Sequence, residues 1–295
     1  TDENGNRSYK SNIGDVTTTV GNARRVMEGK LINEFYLLDT YSGNGSHFFA
    51  DGSVNPAGGP KDGMIRTPED MLWLQALNEA GATFLPNKTI GKKGIWYGDY
   101  IYADANGDGV YGDVNDYMFT GTSMTPKFYY GIQFELGWKG IDFSMLWNGS
   151  GGAQCYWRYV GFNAYSTGGY FTLPKKIAYD HYFYDPENPE DPRTNITSGH
   201  ARLTMNYGSE QNDGQCTSKL FLYDTDYLRL KNLTIGYTFP QKWMKKISVS
   251  DFRLFFSGEN LLTFTKYPGM DPEISDTMNY YALLRQYSFG LSLKF

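Results

Sequence analysis

The last nine residues of the chain alternate between apolar and polar side chains. Serine, glycine, serine and lysine separate Tyr287, Phe289, Leu291, Leu293 and Phe295. A repeat of two residues is typical of a β-strand with one apolar and one polar face. We therefore predict a strand over 287–295. Such a strand fits the half-buried edge of a soluble sheet, and it also fits the closing strand of a bacterial outer-membrane barrel.

The same alternation recurs in the interior of the chain. Residues 127–138 carry aromatic and aliphatic side chains at every second position, and 141–148 repeat the pattern after Lys139 and Gly140. This spacing predicts a tight hairpin with one wide apolar face. Further strands are predicted at 31–41, 227–239 and 247–261, with a weak one around 16–20, and a short basic turn at 240–246 joins the last two long strands.

One helix is predicted within this β-rich chain. Thr67 is a suitable N-cap, Pro68 takes the first helical position, and Glu69 and Asp70 place negative charge in the first turn. The helix is expected to continue through Ala80 and to end at Gly81.

The connections between the long strands alternate in length. The links at 139–140 and 240–246 are short, whereas 150–226 and 263–283 are long and rich in Gly, Pro, Asp, Asn and Tyr. If successive strands run antiparallel, every short turn falls at one end of the sheet and every long loop at the other. Outer-membrane barrels have this asymmetry, with short periplasmic turns and long outer loops.

Composition narrows the class of protein. Aromatic residues make up 17% of the 295 residues, 34 are glycine, and the mean hydropathy is −0.50. These values suit a membrane barrel and, nearly as well, a secreted carbohydrate-binding β-sandwich. The net charge of −5 comes without a basic block, so no nucleic-acid partner is expected. The first residues contain neither a signal peptide nor an initiating Met, so we expect a processed chain or a fragment.

Several segments together resemble a known family. They are Tyr227–Pro240, Leu254–Thr263, Tyr267–Glu273, the closing strand, and Asp104–Gly109 followed by Pro126–Gly131. In this order they resemble the C-terminal barrel region of SusC/RagA-type TonB-dependent outer-membrane transporters. The resemblance covers roughly the last two-thirds of the chain.

This resemblance implies an all-β fold. Residues 1–295 would be the C-terminal part of a transmembrane antiparallel β-barrel of about 22 strands. Because an open sheet edge cannot face lipid, the plug domain and the first barrel strands would belong to a larger protein. The resemblance also implies import of oligosaccharides or peptides across the outer membrane of a Gram-negative bacterium. A SusD-like surface lipoprotein would close over the outer loops, and TonB would act through the missing N-terminal part.

One turn has the spacing of a calcium loop. Asp104, Asn106 and Asp108 follow the D-x-N-x-D-G pattern that places oxygen ligands around Ca²⁺. The carbonyl of Val110 would be the next ligand, and Asn115 stands where a bidentate acid is expected, with Asp116 beside it. A neutral amide chelates poorly, so we expect weak binding. An Asp/Asn/Gly-rich turn that folds without metal is the alternative.

Other candidate features lie in the predicted outer loops. Aromatic side chains there are expected to be exposed and to offer flat faces for stacking on sugar rings, and they are Trp96, Tyr97, Tyr100, Trp157, Tyr159, Tyr165 and Tyr170. Loop packing is the simpler role for each of them. Cys155 and Cys216 both fall on the outer, oxidising side, where a disulfide can form; two free thiols are the alternative.

The chain contains no nucleophile elbow, phosphate loop or metallohydrolase motif, so a non-enzymatic transporter is predicted. A secreted carbohydrate-active β-sandwich, either a glycoside hydrolase or a binding module, is the main alternative. It requires Phe289, Leu291 and Leu293 to lie inside a dry core between two sheets. A non-transporting surface barrel is a second alternative.

Overall fold

A computed structural model describes residues 23–27, 29–157, 175–204, 217–274, 281 and 283–295. The chain divides into two compact units. The first contains residues up to Gly121 together with Tyr156–Leu222, and the second contains Thr122–Cys155 and Tyr223–Phe295. The predicted weak strand around 16–20 lies outside the described residues.

The described part of the first unit contains helices and several very short strands. Strands β1 (Arg24–Arg25), β2 (Glu34–Leu37) and β5 (Met118–Phe119) form one sheet, while β3 (Thr83–Phe84) and β4 (Val110–Tyr111) form a parallel pair. Helix α1 spans Pro68–Glu79, and a shorter helix, α2, spans Lys175–Tyr179. Strands β8 (Gln154–Tyr156) and β9 (Leu222–Asp224) pair with each other, and the chain passes from one unit to the other within each of them.

Helix α1 begins as the sequence predicts. The Thr67 side chain accepts the N–H of Asp70, and the Asp70 carboxylate accepts the N–H of Thr67 at 2.9 Å, which completes a capping box. The helix ends at Glu79, one residue before the predicted end, and Gly81 follows with φ +109. Trp73 and Leu74 of α1 are fully buried in the core of this unit, among Met64, Ile65, Ile95 and Ile101.

The predicted strand over 31–41 is wrong in length. Only Glu34–Leu37 form a strand, and Asn33 takes a left-handed φ of +56. Beyond β2 the backbone changes partners, because Leu38 bridges Ser218 and Thr40 bridges Tyr102. A continuous ladder therefore stops after four residues.

The second unit is a five-stranded antiparallel sheet. Its strands are β6 (Phe128–Trp138), β7 (Ile141–Gly151), β10 (Tyr227–Thr238), β11 (Asp251–Thr265) and β12 (Gln286–Lys294). They lie in the order β12-β11-β10-β7-β6. All four strand pairs are antiparallel. The predicted long strands are confirmed, although β11 spans Asp251–Thr265 rather than 247–261.

The short turns share one end of this sheet, as predicted. Lys139 and Gly140 have φ of +49 and +90, the left-handed values that a two-residue hairpin requires. The N–H of Thr238 donates to the carbonyl of Gly140 at 2.7 Å, and the N–H of Ser250 donates to that of Lys294 at 2.7 Å. A short helix, α3 (Gln241–Met244), and a 3₁₀ turn at Lys245–Ile247 occupy the β10–β11 connection. These residues were expected to form a basic turn and the start of a strand.

Candidate functional site

One face of the five-stranded sheet is a continuous apolar surface, which we call the belt. Strand register places its side chains in rows that cross all five strands. One row consists of Leu136, Phe143, Ile235, Phe256 and Phe289, and the adjacent row consists of Trp138, Ile141, Tyr237, Leu254 and Leu291. A β-sheet of this kind sets the side chains of paired residues side by side on one face.

The belt is exposed rather than packed in a core. Phe289 is 83% exposed, Leu291 is 63% exposed and Leu293 is 46% exposed. Exposed apolar patches beyond a few hundred Å² are rare on soluble monomers and indicate an apolar neighbour. The dry two-sheet core that the β-sandwich alternative requires is not present around these three residues.

The opposite face of the same sheet is largely polar. Its central row consists of Glu135, Ser144, Thr234, Ser257 and Ser288. Near the short-turn end, Arg253 donates through Nε to Oδ1 of Asp142 at 2.9 Å and through Nη2 to Oδ2 at 2.5 Å. One apolar and one polar face on the same strands is the arrangement of a barrel wall between lipid and a water-filled interior.

The first unit contains an aromatic cavity of about 780 Å³. Its walls include Trp96, Tyr97, Tyr179, Tyr182, Phe183 and Tyr184, together with Arg193 and Asn195. The guanidinium of Arg193 lies 4.7 Å from the centre of the Phe183 ring and pairs with Asp191 at 2.7 Å. Aromatic faces beside amide and guanidinium donors provide both stacking and hydrogen bonding to a polar ligand.

A buried ion pair supports one side of this cavity. Arg202 donates through Nε and Nη2 to the two carboxylate oxygens of Asp99, each at 3.0 Å. Burial raises the pKa of Asp99 to about 6, and the neighbouring Arg202 offsets only part of that effect. Asp99 also accepts the N–H of Trp96 at 2.9 Å, so the pair fixes the backbone that carries an aromatic wall of the cavity.

The structure brings the residues of the predicted calcium turn together in one loop. The carboxylate of Asp104 accepts the N–H groups of Gly107, Asp108 and Gly109 at 2.6–3.2 Å. Asn106 donates its side-chain N–H to Oδ2 of Asp108 at 2.9 Å, and the backbone N–H of Val110 donates to Oδ1 of Asp108 at 2.8 Å. These oxygens are therefore engaged by protein donors, and Oδ1 of Asn106 in turn accepts the backbone N–H of Asp108 at 3.1 Å.

The distal part of this turn is held in a similar way. Asp116 is buried and accepts the N–H groups of Ala105, Gly112 and Asp113 at 2.6–3.1 Å. Burial raises the pKa of Asp116, and the three N–H donors act in the opposite direction. Asn115 bonds to Asp113 through both its backbone and its side-chain N–H. Calcium binding here stays a prediction.

Comparison with known proteins agrees with a sheet that belongs to the wall of a membrane barrel. The chain is 30% identical over 212 residues to TonB-dependent receptor P3 of Formosa agariphila, covering 67% of this chain and 19% of that receptor. It is 23% identical over 199 residues to TonB-dependent receptor SusC of Bacteroides thetaiotaomicron, covering 66% and 17%. A solved structure of the RagAB peptide transporter matches with a TM-score of 0.50 at 24% identity, covering 72% of this chain and 22% of that one. The chain is a relative of the SusC/RagA-type TonB-dependent receptors.

The chain spans about a fifth of the length of these receptors. Its five-stranded sheet has the fold of a TonB-dependent receptor barrel, and the barrel is not closed by the strands of the described residues. No protein-family model matches the chain. None of the helices in the described part of the chain has the length and apolar character needed to cross a bilayer.

The structure corrects the exposure predicted for several aromatic residues of this receptor relative. Tyr97 and Tyr100 are buried in the core of the first unit, where they were expected to be exposed. Trp96 and Trp157 are partly buried. Tyr159, Tyr165 and Tyr170 lie outside the described residues. Tyr179, which the sequence did not single out, lines the cavity and is 80% exposed.

Whether Cys155 and Cys216 form a disulfide or stay as two free thiols is untested. Cys155 is buried at the centre of β8, and Cys216 lies outside the described residues.

Proposed function

We propose that the complete protein is a TonB-dependent importer of the Gram-negative outer membrane and that this chain forms part of its barrel wall. The observation that carries the proposal is the belt, since five neighbouring strands present one unbroken apolar face and one polar face. Lipid is the neighbour that such a face fits, and a water-filled passage fits the other. The similarity to receptors named TonB-dependent supports the same function.

The edges of the sheet support a larger barrel. Strands β6 and β12 stand at the two ends of the strand order, and each has one side without a paired strand in the described residues. Unpaired backbone groups in a bilayer cost several kcal/mol each. We infer that further strands of the complete protein pair with both edges and close the barrel.

The partners follow from the same relationship. A solved neighbour is named the RagAB peptide transporter, and the resemblance to SusC-type receptors implies a SusD-like surface lipoprotein. We propose such a lipoprotein as the partner here, with TonB supplying energy through a part of the protein outside this chain. The protein is proposed to act as a transporter and not as an enzyme.

We propose oligosaccharides as the transported substrate, with peptides as the second candidate. The aromatic cavity of the first unit supports a sugar ligand, because aromatic side chains such as Trp96 and Tyr179 line it together with the amide of Asn195. The name of the RagAB neighbour keeps peptides in consideration.

Two measurements test these proposals separately. Cell fractionation of the complete protein should place it in the outer membrane and require detergent for extraction, whereas recovery in the soluble fraction refutes the importer. The affinities of the Tyr179→Ala variant for oligosaccharide and peptide pools are then compared with those of the Phe49→Ala variant. Phe49→Ala removes an exposed aromatic side chain outside the cavity. Loss of about tenfold in oligosaccharide affinity for Tyr179→Ala alone supports the sugar assignment. The same loss for peptides alone would reassign the cavity.

A further inference from the structure

Arg229 of β10 is a charged side chain with 1% exposure. Its Nη2 donates to both carboxylate oxygens of Asp271, at 2.8 and 2.9 Å, and its Nη1 donates to Oε2 of Glu273 at 2.8 Å. A guanidinium withdrawn from water is stable only where acceptors replace its hydration. The burial of Arg229 therefore depends on these two acids.

Both acids belong to the connection that follows β11. We call residues 266–274 of this connection the strap. Within it, the ring of buried Tyr267 covers Gly269, where an added Cβ would lie 2.3 Å from the ring. The N–H of Glu273 donates to Oδ1 of Asp271 at 2.9 Å. The strap is thus folded into a defined shape, and the oxygen that organises its turn is also a partner of Arg229.

Two more side chains of the sheet take part in these contacts. The hydroxyl of Tyr227 donates to Oε1 of Glu273, and Nε of Arg229 donates to Oγ1 of Thr263 at 3.0 Å. Arg229 pairs directly with Thr263 across the β10–β11 ladder. Tyr227 and Arg229 are thus the residues of β10 that donate hydrogen bonds to Asp271 and Glu273.

The position of Arg229 in β10 decides which face the strap covers. Leu228 and Leu230 flank it in the strand, and Leu230 lies in a row with Trp147 and Leu262 of the belt. Neighbouring residues of a strand point to opposite faces, so Arg229 lies on the polar face. The strap is therefore drawn over the polar face, at the end of the sheet away from the short turns.

We propose that Arg229 is a latch that holds the strap closed over the interior face of the barrel wall. The strap occupies space beside the ends of β10 and β11, so in the closed barrel it narrows one mouth of the passage. Opening the strap requires both acids to leave Arg229. The placement in a passage rests on the proposed function, whereas the latch itself rests on the contacts within this unit.

Hydrogen exchange measured by mass spectrometry on the complete protein in outer-membrane vesicles tests the latch. Arg229→Gln keeps a long polar side chain but removes the charge. Amides of the strap should then exchange at least about tenfold faster while those of β10 and β11 keep their protection. Arg253→Gln is the matched control, because Arg253 lies on the same face and pairs with Asp142 instead of a strap residue. It should leave strap exchange unchanged.

The latch is overturned if Arg229→Gln changes strap exchange by less than about twofold, or if β10 and β11 lose protection together with the strap. In the latter case Arg229 supports the sheet and not the strap. Glu273→Gln provides a second reading if Arg229→Gln does not assemble, since it leaves the Asp271 pair in place. A severalfold rise in strap exchange is expected, and a wild-type value overturns the latch. Substrate uptake is recorded separately, because failed uptake by a wild-type protein refutes the importer and leaves the latch untouched.

Discussion

Asp142 and Arg253 form a bidentate ion pair across the strand that separates them. Asp142 belongs to β7 and Arg253 to β11, and β10 runs between them. The pair passes over Gly236 of β10, where an added Cβ would lie 2.4 Å from Oδ1 of Asp142 and 2.6 Å from Nη2 of Arg253. A glycine in the interior of a strand weakens it, and here its lack of a side chain makes room for the contact between the two neighbouring strands.

Gly236→Ala is expected to destabilise the sheet by displacing this ion pair. Overpacking of this kind costs about 1–3 kcal/mol. The partly exposed pair itself is worth less than about 1 kcal/mol, so Arg253→Gln alone should have a small effect. Unfolding of the complete protein in lipid vesicles, followed by tryptophan fluorescence, measures both. In an Arg253→Gln background the cost of Gly236→Ala should fall, because glutamine lacks the Nη2 atom that lies 2.6 Å from the added Cβ. An equal cost in both backgrounds would show that the clash does not involve Arg253.

A cation placed on the belt is expected to be far more costly than one on the polar face. Ile235 lies in a belt row between Phe143 and Phe256, whereas the adjacent Thr234 lies between Ser144 and Ser257. Ile235→Arg should lower the unfolding free energy in vesicles by about 2–4 kcal/mol, the cost of a lipid-facing arginine near the bilayer centre. Thr234→Arg is the matched control and should cost less than about 1 kcal/mol. Similar losses for the two variants would contradict the assignment of faces.

The sequence predicts the sheet better than it predicts the contacts on it. Alternation over 127–138 and 287–295 defines β6 and β12 to within one residue, because a period of two is a property of each strand alone. The Asp142–Arg253 pair joins residues 111 positions apart, and its glycine gives only a weak local signal. Predictions of burial in irregular segments fail for a related reason. Tyr97 and Tyr100 are buried by contacts that follow no sequence period, so nothing in the pattern distinguishes them from exposed Tyr179.

The ion pair beside the cavity is expected to make the first unit sensitive to pH. The pKa of Asp99 is raised to about 6 by burial, above the value of about 3.9 expected in an unfolded chain. Between these values the folded state binds a proton that the unfolded state does not. The contribution of Asp99 to stability therefore increases as pH falls from 7 through 6 towards 4. Thermal unfolding of the first unit measures this effect. When the pH is lowered from 7 to 5, the unfolding free energy of the wild type should rise by about 1–2 kcal/mol relative to that of Asp99→Asn. A gain in the opposite direction would show that Arg202 holds Asp99 ionised.

The turn at 104–116 is expected to bind calcium weakly. Asp104 and Asp108 supply carboxylate oxygens, yet both already accept backbone N–H groups, and Asn115 offers a neutral amide in place of a chelating acid. Site charge and ligand number set calcium affinity, so a dissociation constant of about 10⁻⁴–10⁻³ M is expected. Calorimetric titration of the complete protein with CaCl₂ measures it, and Asp108→Ala should abolish the heat of binding. Asp62→Ala removes an acid elsewhere in the same unit and should leave that heat unchanged. If wild type and Asp108→Ala give the same heat, the turn holds its shape through Asp and Asn hydrogen bonds alone.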